Sequence, residues 1–369
     1  MRPTYLEVNL PQLQKNVEAI RAHVSPARVM VMVKANAYGH GIEGVGPFIE
    51  PYVDYFGVAL PEEGIHLRGL GITKPILVAG GTLPEQVHLF GEYDLTLTGS
   101  SIELLDAAEE IAHLIGKRIK THLKVDTGME RVGVREYEAE ALIGKSIACS
   151  HLEIEGIYTH LANSELRDKA YSSLQLERFQ EALSIYERRS LPIPLFRHIC
   201  NSGGILNLPE AHLDMVRPGI LFYGVYPGRD VDRVVDVKPA LTWRSRVAYS
   251  KVARPGRPVS YGSLWQAEVE TRIVTIPCGY ADGYFRRMTN QAQVIINGKK
   301  HPQVGRICMD QFMVNVAEAE VWVGDEVVLL GESENECIKP EDLAEWTGTN
   351  EYEVLTNISA RVPRVYIPG

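Results

Sequence analysis

The sequence predicts an α/β protein in two parts: an N-terminal (β/α)8 barrel of the TIM type over residues 1–235, then a mostly β domain over residues 236–369. Three observations carry this. Eight short apolar segments return between helical stretches over about 230 residues, the arithmetic of a (β/α)8 barrel. The first of them, Val29-Met30-Val31-Met32-Val33, is apolar at every position, as in a parallel strand covered on both faces. From about Asp236 the helical stripes give way to β-rich runs separated by Gly and Pro. A doubly wound open sheet is the structural rival.

Taken in order, residues 11–23 place Leu13, Val17 and Ile20 at helical spacing, an amphipathic helix before the first barrel strand. The strand over 29–33 runs into Lys34 and the loop Ala35-Asn36-Ala37-Tyr38-Gly39-His40-Gly41, at the C-terminal mouth where barrels keep their active sites. Further strands are expected at 55–60, 75–80, 95–99, 120–126, 154–160, 196–201 and 215–220. Between them, 101–116 carries Ile102, Leu105, Ala108, Ile111, Ala112 and Ile115 on one stripe, and 172–189 forms a second long helix. Beyond Asp236, strands are expected at 243–253, 269–277, 292–299, 312–316 and 323–331. Asn297-Gly298 marks a hairpin turn, and 340–347 a short helix.

With 369 residues the chain suits a barrel plus a second domain. A net charge of -9 with no Lys/Arg-rich run argues against a nucleic-acid partner. The five cysteines are scattered and form no C-x-x-C pair, so neither a disulfide framework nor a metal site is expected. The first ten residues have no apolar signal core and no stretch reaches bilayer length, so a cytoplasmic protein without membrane contact is expected.

Polar residues collect at the strand ends: Lys34 after the first, Arg131 past the fifth, His160 at the sixth, Asn201 and Ser202 at the seventh, Arg217 at the eighth. Ser202-Gly203-Gly204 and Gly219-Ile220 open loops that can turn backbone N–H groups toward a phosphate. A lysine amine and a phosphate cradle at one mouth describe a site for pyridoxal phosphate, which lysine holds as a Schiff base. On the fifth strand His122, Lys124 and Asp126 alternate, so they share a face. If that face is interior, a charged Lys124 needs a partner, and Asp126 is the nearest acid along the strand. Gly39-His40-Gly41-Ile42-Glu43-Gly44 also spells G-x-G-x-x-G, with Glu62 and Glu63 about 20 residues on, as in a dinucleotide site. Its glycines start several residues past the apolar run, which does not suit the tight Rossmann turn.

Val33-Lys34-Ala35-Asn36-Ala37-Tyr38-Gly39-His40-Gly41 resembles the cofactor-lysine segment of alanine racemases. The resemblance continues in family order through Lys124-Val125-Asp126-Thr127-Gly128-Met129-Glu130-Arg131-Val132-Gly133, Tyr158-Thr159-His160, Asn201-Ser202-Gly203 and Val216-Arg217-Pro218-Gly219-Ile220 with Tyr223-Gly224. It ends with Val259-Ser260-Tyr261-Gly262, Pro277-Cys278-Gly279-Tyr280-Ala281-Asp282-Gly283, Gly305-Arg306-Ile307-Cys308-Met309-Asp310-Gln311 and Asn350-Glu351-Tyr352-Glu353-Val354. Nine segments across both parts make the likeness specific.

The resemblance implies an isomerase that interconverts L-alanine and D-alanine, a peptidoglycan precursor, by two-base proton transfer at Cα of the pyridoxal-phosphate aldimine. Lys34 would be the Schiff-base lysine and one base. Tyr261, from the second domain of a partner subunit, would be the other, so a homodimer with shared active sites is implied. Free lysine and tyrosine both titrate near pH 10, and Arg131, Arg217 and His160 are candidates to supply helpful positive charge. Arg217 resembles the residue facing the pyridine nitrogen, where many pyridoxal enzymes place a carboxylate. Tyr38, His160, Asn201, Ser202, Gly219, Ile220 and Tyr352 match other cofactor contacts, and Arg131 and the Met309 N–H match the substrate-carboxylate contacts. In many relatives the lysine at Lys124 carries a carbamate that orients the arginine at Arg131. A decarboxylase of the same plan should have an acid at Arg217, and a non-catalytic pyridoxal-phosphate carrier would need neither Tyr261 nor Met309.

Overall fold

The computed structural model describes residues 2–368. Its contacts divide the chain into two compact units. The barrel unit comprises Leu13–Ala37 and Ile42–Lys238; the β-rich unit comprises Met1–Gln12, Tyr38–Gly41 and Pro239–Gly369.

In the barrel unit, Met215–Val216, Arg28–Met32, Tyr55–Val58 and Ile76–Val78 pair in parallel, and Leu97–Gly99, Ile119–Asp126, Leu152–Tyr158 and Phe196–His198 form a second parallel run. Two seams join the runs into a ring. Leu77 bridges Thr96 on one side, and on the other Asp214 N–H donates to Arg197 O at 3.2 Å and Arg217 N–H to Cys200 O at 2.9 Å. All eight expected barrel strands are present. Met30, Tyr55, Leu77, Tyr158, Phe196 and Met215, from six different strands, form one buried cluster, so the ring encloses a packed core.

The helices follow the apolar spacing with one adjustment. Leu13, Val17 and Ile20 are fully buried on Leu10–Val24, as expected. On Ile102–Leu114 the buried residues are Leu104, Leu105, Ala108 and Ala112, whereas Ile115 is 41% exposed. Ile115 caps the helix C-terminus and falls beyond its last turn, so the stripe ends a turn earlier than the spacing suggests. The helix expected at 172–189 runs from Ala170 to Arg188.

The β-rich unit is built on a ten-stranded sheet. The run expected over 243–253 is two strands, Leu241–Arg246 and Tyr249–Ala253, which pair with different neighbours. Gln293–Ile296 and Lys299–Val304 form the expected hairpin, with Asn297 and Gly298 both at positive φ (49° and 70°). The helix at Pro340–Thr347 is as expected. Tyr5–Asn9 enters this sheet, antiparallel to Leu241–Arg246 and parallel to Arg364–Ile367. No strand was expected there.

The segment after the first barrel strand is not an irregular loop. Ala35, Asn36, Ala37 and Tyr38 have φ of 52°, 56°, 53° and 50°, a turn of left-handed helix, with Ala37 N–H donating to Val33 O at 2.9 Å. Each such L-residue costs about 1–2 kcal/mol. Gly39 and Gly41 continue at φ of 80° and 93°; a Cβ on Gly39 would overlap the Leu355 carbonyl and one on Gly41 the Tyr366 hydroxyl. The apparent nucleotide fingerprint is therefore a close-packed turn. Among the described residues no helix is long and apolar enough to cross a membrane.

Candidate active site

The C-terminal ends of the barrel strands carry a group of basic residues. Arg217 follows the eighth strand directly and is buried. Its guanidinium donates to Thr159 O (2.8 Å), Ile199 O (3.0 Å), His198 Nδ1 (2.7 Å) and His160 Nδ1 (3.3 Å), and its Cζ lies 5.2 Å from the Tyr158 ring centroid. None of these partners is a carboxylate. Burial pushes Arg217 down to about 10 and sends His160 well below the ordinary histidine range, with Arg217, Lys124, Arg131 and Lys34 adding to the effect on His160. These groups thus share one field.

Lys34 lies two residues past the first strand. Burial, then the Arg131 charge, lowers the basicity of its amine, and Glu63 acts the other way. Among the described residues its amine makes no hydrogen bond or ion pair. Lys124 is buried inside the barrel, as the shared-face reading anticipated, but its partner is not Asp126. Asp126 accepts from the N–H groups of Gly128, Met129 and Arg131 (2.8, 2.8 and 3.0 Å), which ties down the loop that carries Arg131. The Lys124 amine donates to Val125 O at 3.2 Å and sits 4.9 Å from the Tyr158 ring centroid. Burial, then Arg217, pushes it down to about 7.

The two loops expected to cradle a phosphate are joined by one hydroxyl. Ser202 Oγ accepts from the N–H of Gly219 (2.9 Å) and of Leu221 (3.3 Å). Asn201 caps the helix Ser202–Asn207 through Gly204 N–H at 3.0 Å and takes a hydrogen bond from Ser164 Oγ at 2.6 Å. The N–H groups of Ser202, Gly203 and Ile220 find no acceptor among the described residues. Met32 N–H donates to Pro218 O at 3.0 Å and Tyr223 Oη to Met32 O at 3.0 Å, which binds this loop to the strand that leads to Lys34.

The left-handed turn beside Lys34 is held by Glu63. One carboxylate oxygen accepts from Ala35 N–H (2.6 Å), the other from Ala59 and Leu60 N–H (2.8 and 3.2 Å). Asn36 Oδ1 accepts from Ile42 N–H at 2.8 Å. Both Glu63 oxygens face N–H donors alone, so a glutamine must set an NH2 against one of them. Glu63→Gln is expected to lower stability by about 1 kcal/mol, read as a shifted denaturant midpoint; an unmoved midpoint would remove this role.

In the β-rich unit the rings of Tyr38 and Tyr352 meet at 6.2 Å, and Asn350 caps the helix Glu351–Thr356 that carries Tyr352. Tyr261 is 70% exposed in a turn whose neighbours Ser260, Gly262 and Ser263 all have positive φ (67°, 73° and 51°). Met309 is 52% exposed, its carbonyl accepts from Ala281 N–H at 3.0 Å, and its own N–H finds no acceptor among the described residues. A Cβ on Gly279 would overlap the Cys308 and Met309 carbonyls, so glycine is needed where the two loops touch.

Comparison with known proteins agrees with this geometry. Residues 8–227 match the alanine racemase N-terminal domain and residues 240–366 the alanine racemase C-terminal domain. The chain belongs to the alanine racemase family. An alanine racemase of Carboxydothermus hydrogenoformans is 45% identical over 370 residues, covering all of both chains. Among solved structures, the alanine racemase of Clostridium difficile 630 superposes with a TM-score of 0.94 at 36% identity, over 100% of this chain and 96% of that one. That of Bartonella henselae, solved with covalently bound pyridoxal phosphate, superposes with a TM-score of 0.90 at 28% identity, over the full length of both.

Several residues that shape this alanine racemase site are given no role by the sequence. Tyr158 lies under both Lys124 and Arg217 and stacks on His198 (centroids 4.7 Å apart, planes 3°). Gln175, on a helix that reads as ordinary, accepts from Ala162 N–H at 2.8 Å and donates to His160 O at 3.0 Å, fixing the loop after the sixth strand. The signal available for Tyr158 and His198 is their position as inward-facing residues near strand ends.

Proposed function

We propose that this chain racemises alanine with pyridoxal phosphate, as a cytoplasmic homodimer, with the barrel unit supplying the cofactor barrel and the β-rich unit the second domain. The observation that carries the reading is the basic mouth, in which the buried Arg217 pairs with no carboxylate among the described residues. Lys34 stands without a hydrogen-bond partner among the described residues, Arg217 has no carboxylate beside it, and three backbone N–H groups of the two phosphate loops lack acceptors. That donor set fits a dianionic phosphate and a substrate carboxylate.

Pyridoxal phosphate, when bound, supplies an aldehyde that links covalently to amines and an electron-withdrawing ring that acidifies the Cα–H of an attached amino acid. Lys34 would hold it through Nζ, and the Lys34 amine would move the Cα proton on one face. Tyr261 of the partner subunit moves the proton on the other through its phenol oxygen. The high exposure of Tyr261 in a single chain supports its being covered by a second copy. Arg217 is assigned to the ring nitrogen. A guanidinium only donates and keeps its proton, which favours quick reprotonation at Cα over side reactions. Tyr38, His160, Asn201, Ser202, Gly219, Ile220 and Tyr352 are assigned to the cofactor, Ser202 by fixing both loops. Arg131 and the Met309 N–H hold the substrate carboxylate.

Lys124 is assigned a carbamate: its neutral amine attacks CO2, the N–C bond forms and a proton leaves to water, giving an anion that can orient Arg131. Only the unprotonated amine reacts, so with a value of about 7 the reactive fraction grows as pH rises through neutrality. A carbon-13 carbamate resonance from labelled bicarbonate is expected to strengthen from pH 6 to pH 8 and to vanish in Lys124→Met; a signal that survives in that variant would move the modification elsewhere.

The decisive experiment mixes the cofactor-loaded protein with L-alanine in deuterated buffer and follows optical rotation and Cα exchange. Rotation is expected to decay to zero. Rotation that never decays with cofactor bound would overturn the proposal.

A further inference from the structure

Behind Arg217 a file of polar side chains crosses the interior of the barrel. Arg217 Nη1 is 2.7 Å from His198 Nδ1, His198 Nε2 is 2.9 Å from His122 Nδ1, and His122 Nε2 is 3.3 Å from Glu155 Oε1. The same Glu155 oxygen accepts from Tyr55 Oη at 2.5 Å, and Tyr55 Oη lies 2.5 Å from Thr96 Oγ1. His122 and His198 are fully buried. Their rings are held in place, His198 by the stacked Tyr158 and His122 by Tyr55 and Phe196 at centroid distances of 5.6 and 5.9 Å. Gly156 faces His122 so closely that a Cβ there would lie 2.5 Å from Nδ1. The file is a built feature: a strand residue is kept without a side chain to admit the ring.

The two ends of the file are chemically opposite. A guanidinium can only donate and a carboxylate can only accept, while each neutral imidazole donates from one nitrogen and accepts at the other. One proton arrangement satisfies every link. His198 accepts from Arg217 at Nδ1 and donates from Nε2; His122 accepts at Nδ1 and donates from Nε2 to Glu155. Burial, reinforced for His198 by Arg217, keeps both imidazoles neutral, and the hydrogen bonds from His122 and Tyr55 hold the Glu155 carboxyl low against the opposing effect of burial. Without an acceptor at the Glu155 end, His122 is free to turn its proton to Nδ1. That proton would move His198 to the Nδ1–H form, setting an N–H against the Arg217 N–H.

We propose that Glu155 is a remote positioning residue: by fixing the tautomers of His122 and His198 it keeps an acceptor facing Arg217, and so sets the guanidinium in the plane it needs beside the cofactor. The link to catalysis rests on the role proposed above for Arg217; the tautomer order does not. Nitrogen-15 spectra of histidine-labelled protein, with and without cofactor, test the order directly, the two histidines being assigned through His122→Phe and His198→Phe. Both are expected as the Nε2–H tautomer near neutral pH. A dominant Nδ1–H form or an imidazolium at either position overturns the proposal.

Glu155→Leu removes the acceptor and is expected to mix the tautomers and lower kcat by about 10-fold to 100-fold while leaving the alanine KM within about 2-fold. Glu155→Gln keeps an acceptor oxygen and is expected to restore both tautomers and kcat, which separates proton order from net charge. Unchanged kcat in a folded Glu155→Leu protein, or Nδ1–H tautomers in Glu155→Gln, would also overturn it. If Glu155→Leu does not fold, the wild-type and Glu155→Gln spectra still decide. If the wild-type protein does not racemise alanine, the Arg217 reading fails while the spectra continue to report on Glu155.

Discussion

Lys34→Ala is expected to abolish racemisation, a fall of roughly 10,000-fold or more in kcat. Two functions end together. The chain loses its covalent hold on pyridoxal phosphate, and it loses the amine assigned to one face of Cα. The lowered basicity of Lys34 comes first from burial and then from Arg131, so the amine is already biased toward the free form that both functions use. The variant should bind the cofactor only non-covalently: borohydride should fix none of it to the protein, and gel filtration should remove its absorbance. A Lys34→Ala protein that racemises within about tenfold of the parent rate would displace this residue from the centre of the mechanism.

Tyr261→Phe should act on one face alone. Loss of the phenol oxygen is expected to slow proton transfer on that face by about 100-fold to 10,000-fold, while Lys34 continues to hold the cofactor and to exchange the proton it serves. Deuterium incorporation at Cα, started separately from L-alanine and D-alanine, reads the two faces independently. One enantiomer should still exchange with solvent while its conversion to the other stalls. Equal slowing from both starting points would mean that Tyr261 acts through the fold of its turn, where Ser260, Gly262 and Ser263 all lie at positive φ, and not as a base.

The barrel is legible in the sequence because short runs rich in apolar residues recur between helices; each of the eight expected segments overlaps an observed strand. Tyr5–Asn9 is harder to read. Its alternating burial marks a strand, yet nothing in five residues says that it will join a sheet whose other members begin at Leu241 and end at Ile367. Site positions divide in the same way. Lys34, His160 and Arg217 can be placed at strand ends from periodicity, because each follows an apolar run that stops. Their roles come from family resemblance, since a strand-end cation looks the same in an ion pair as in a cofactor site. Glu63, Gln175 and Glu155 act through contacts 28, 15 and 33 residues away in the chain, and no local pattern announces them. Lys124 shows the limit from the other side: alternation places it inside the barrel, but Asp126 is drawn off by the backbone of the Arg131 loop.

The four residues after Lys34 have a backbone handedness that L-amino acids resist and D-amino acids prefer. At Ala35 and Ala37 the side chain is a single methyl, so inverting the stereocentre would change little except the sign of that preference. The stretch of chain that carries the proposed anchor lysine is thus built as if from mirror-image residues, in a family whose name describes the interconversion of the two hands of alanine.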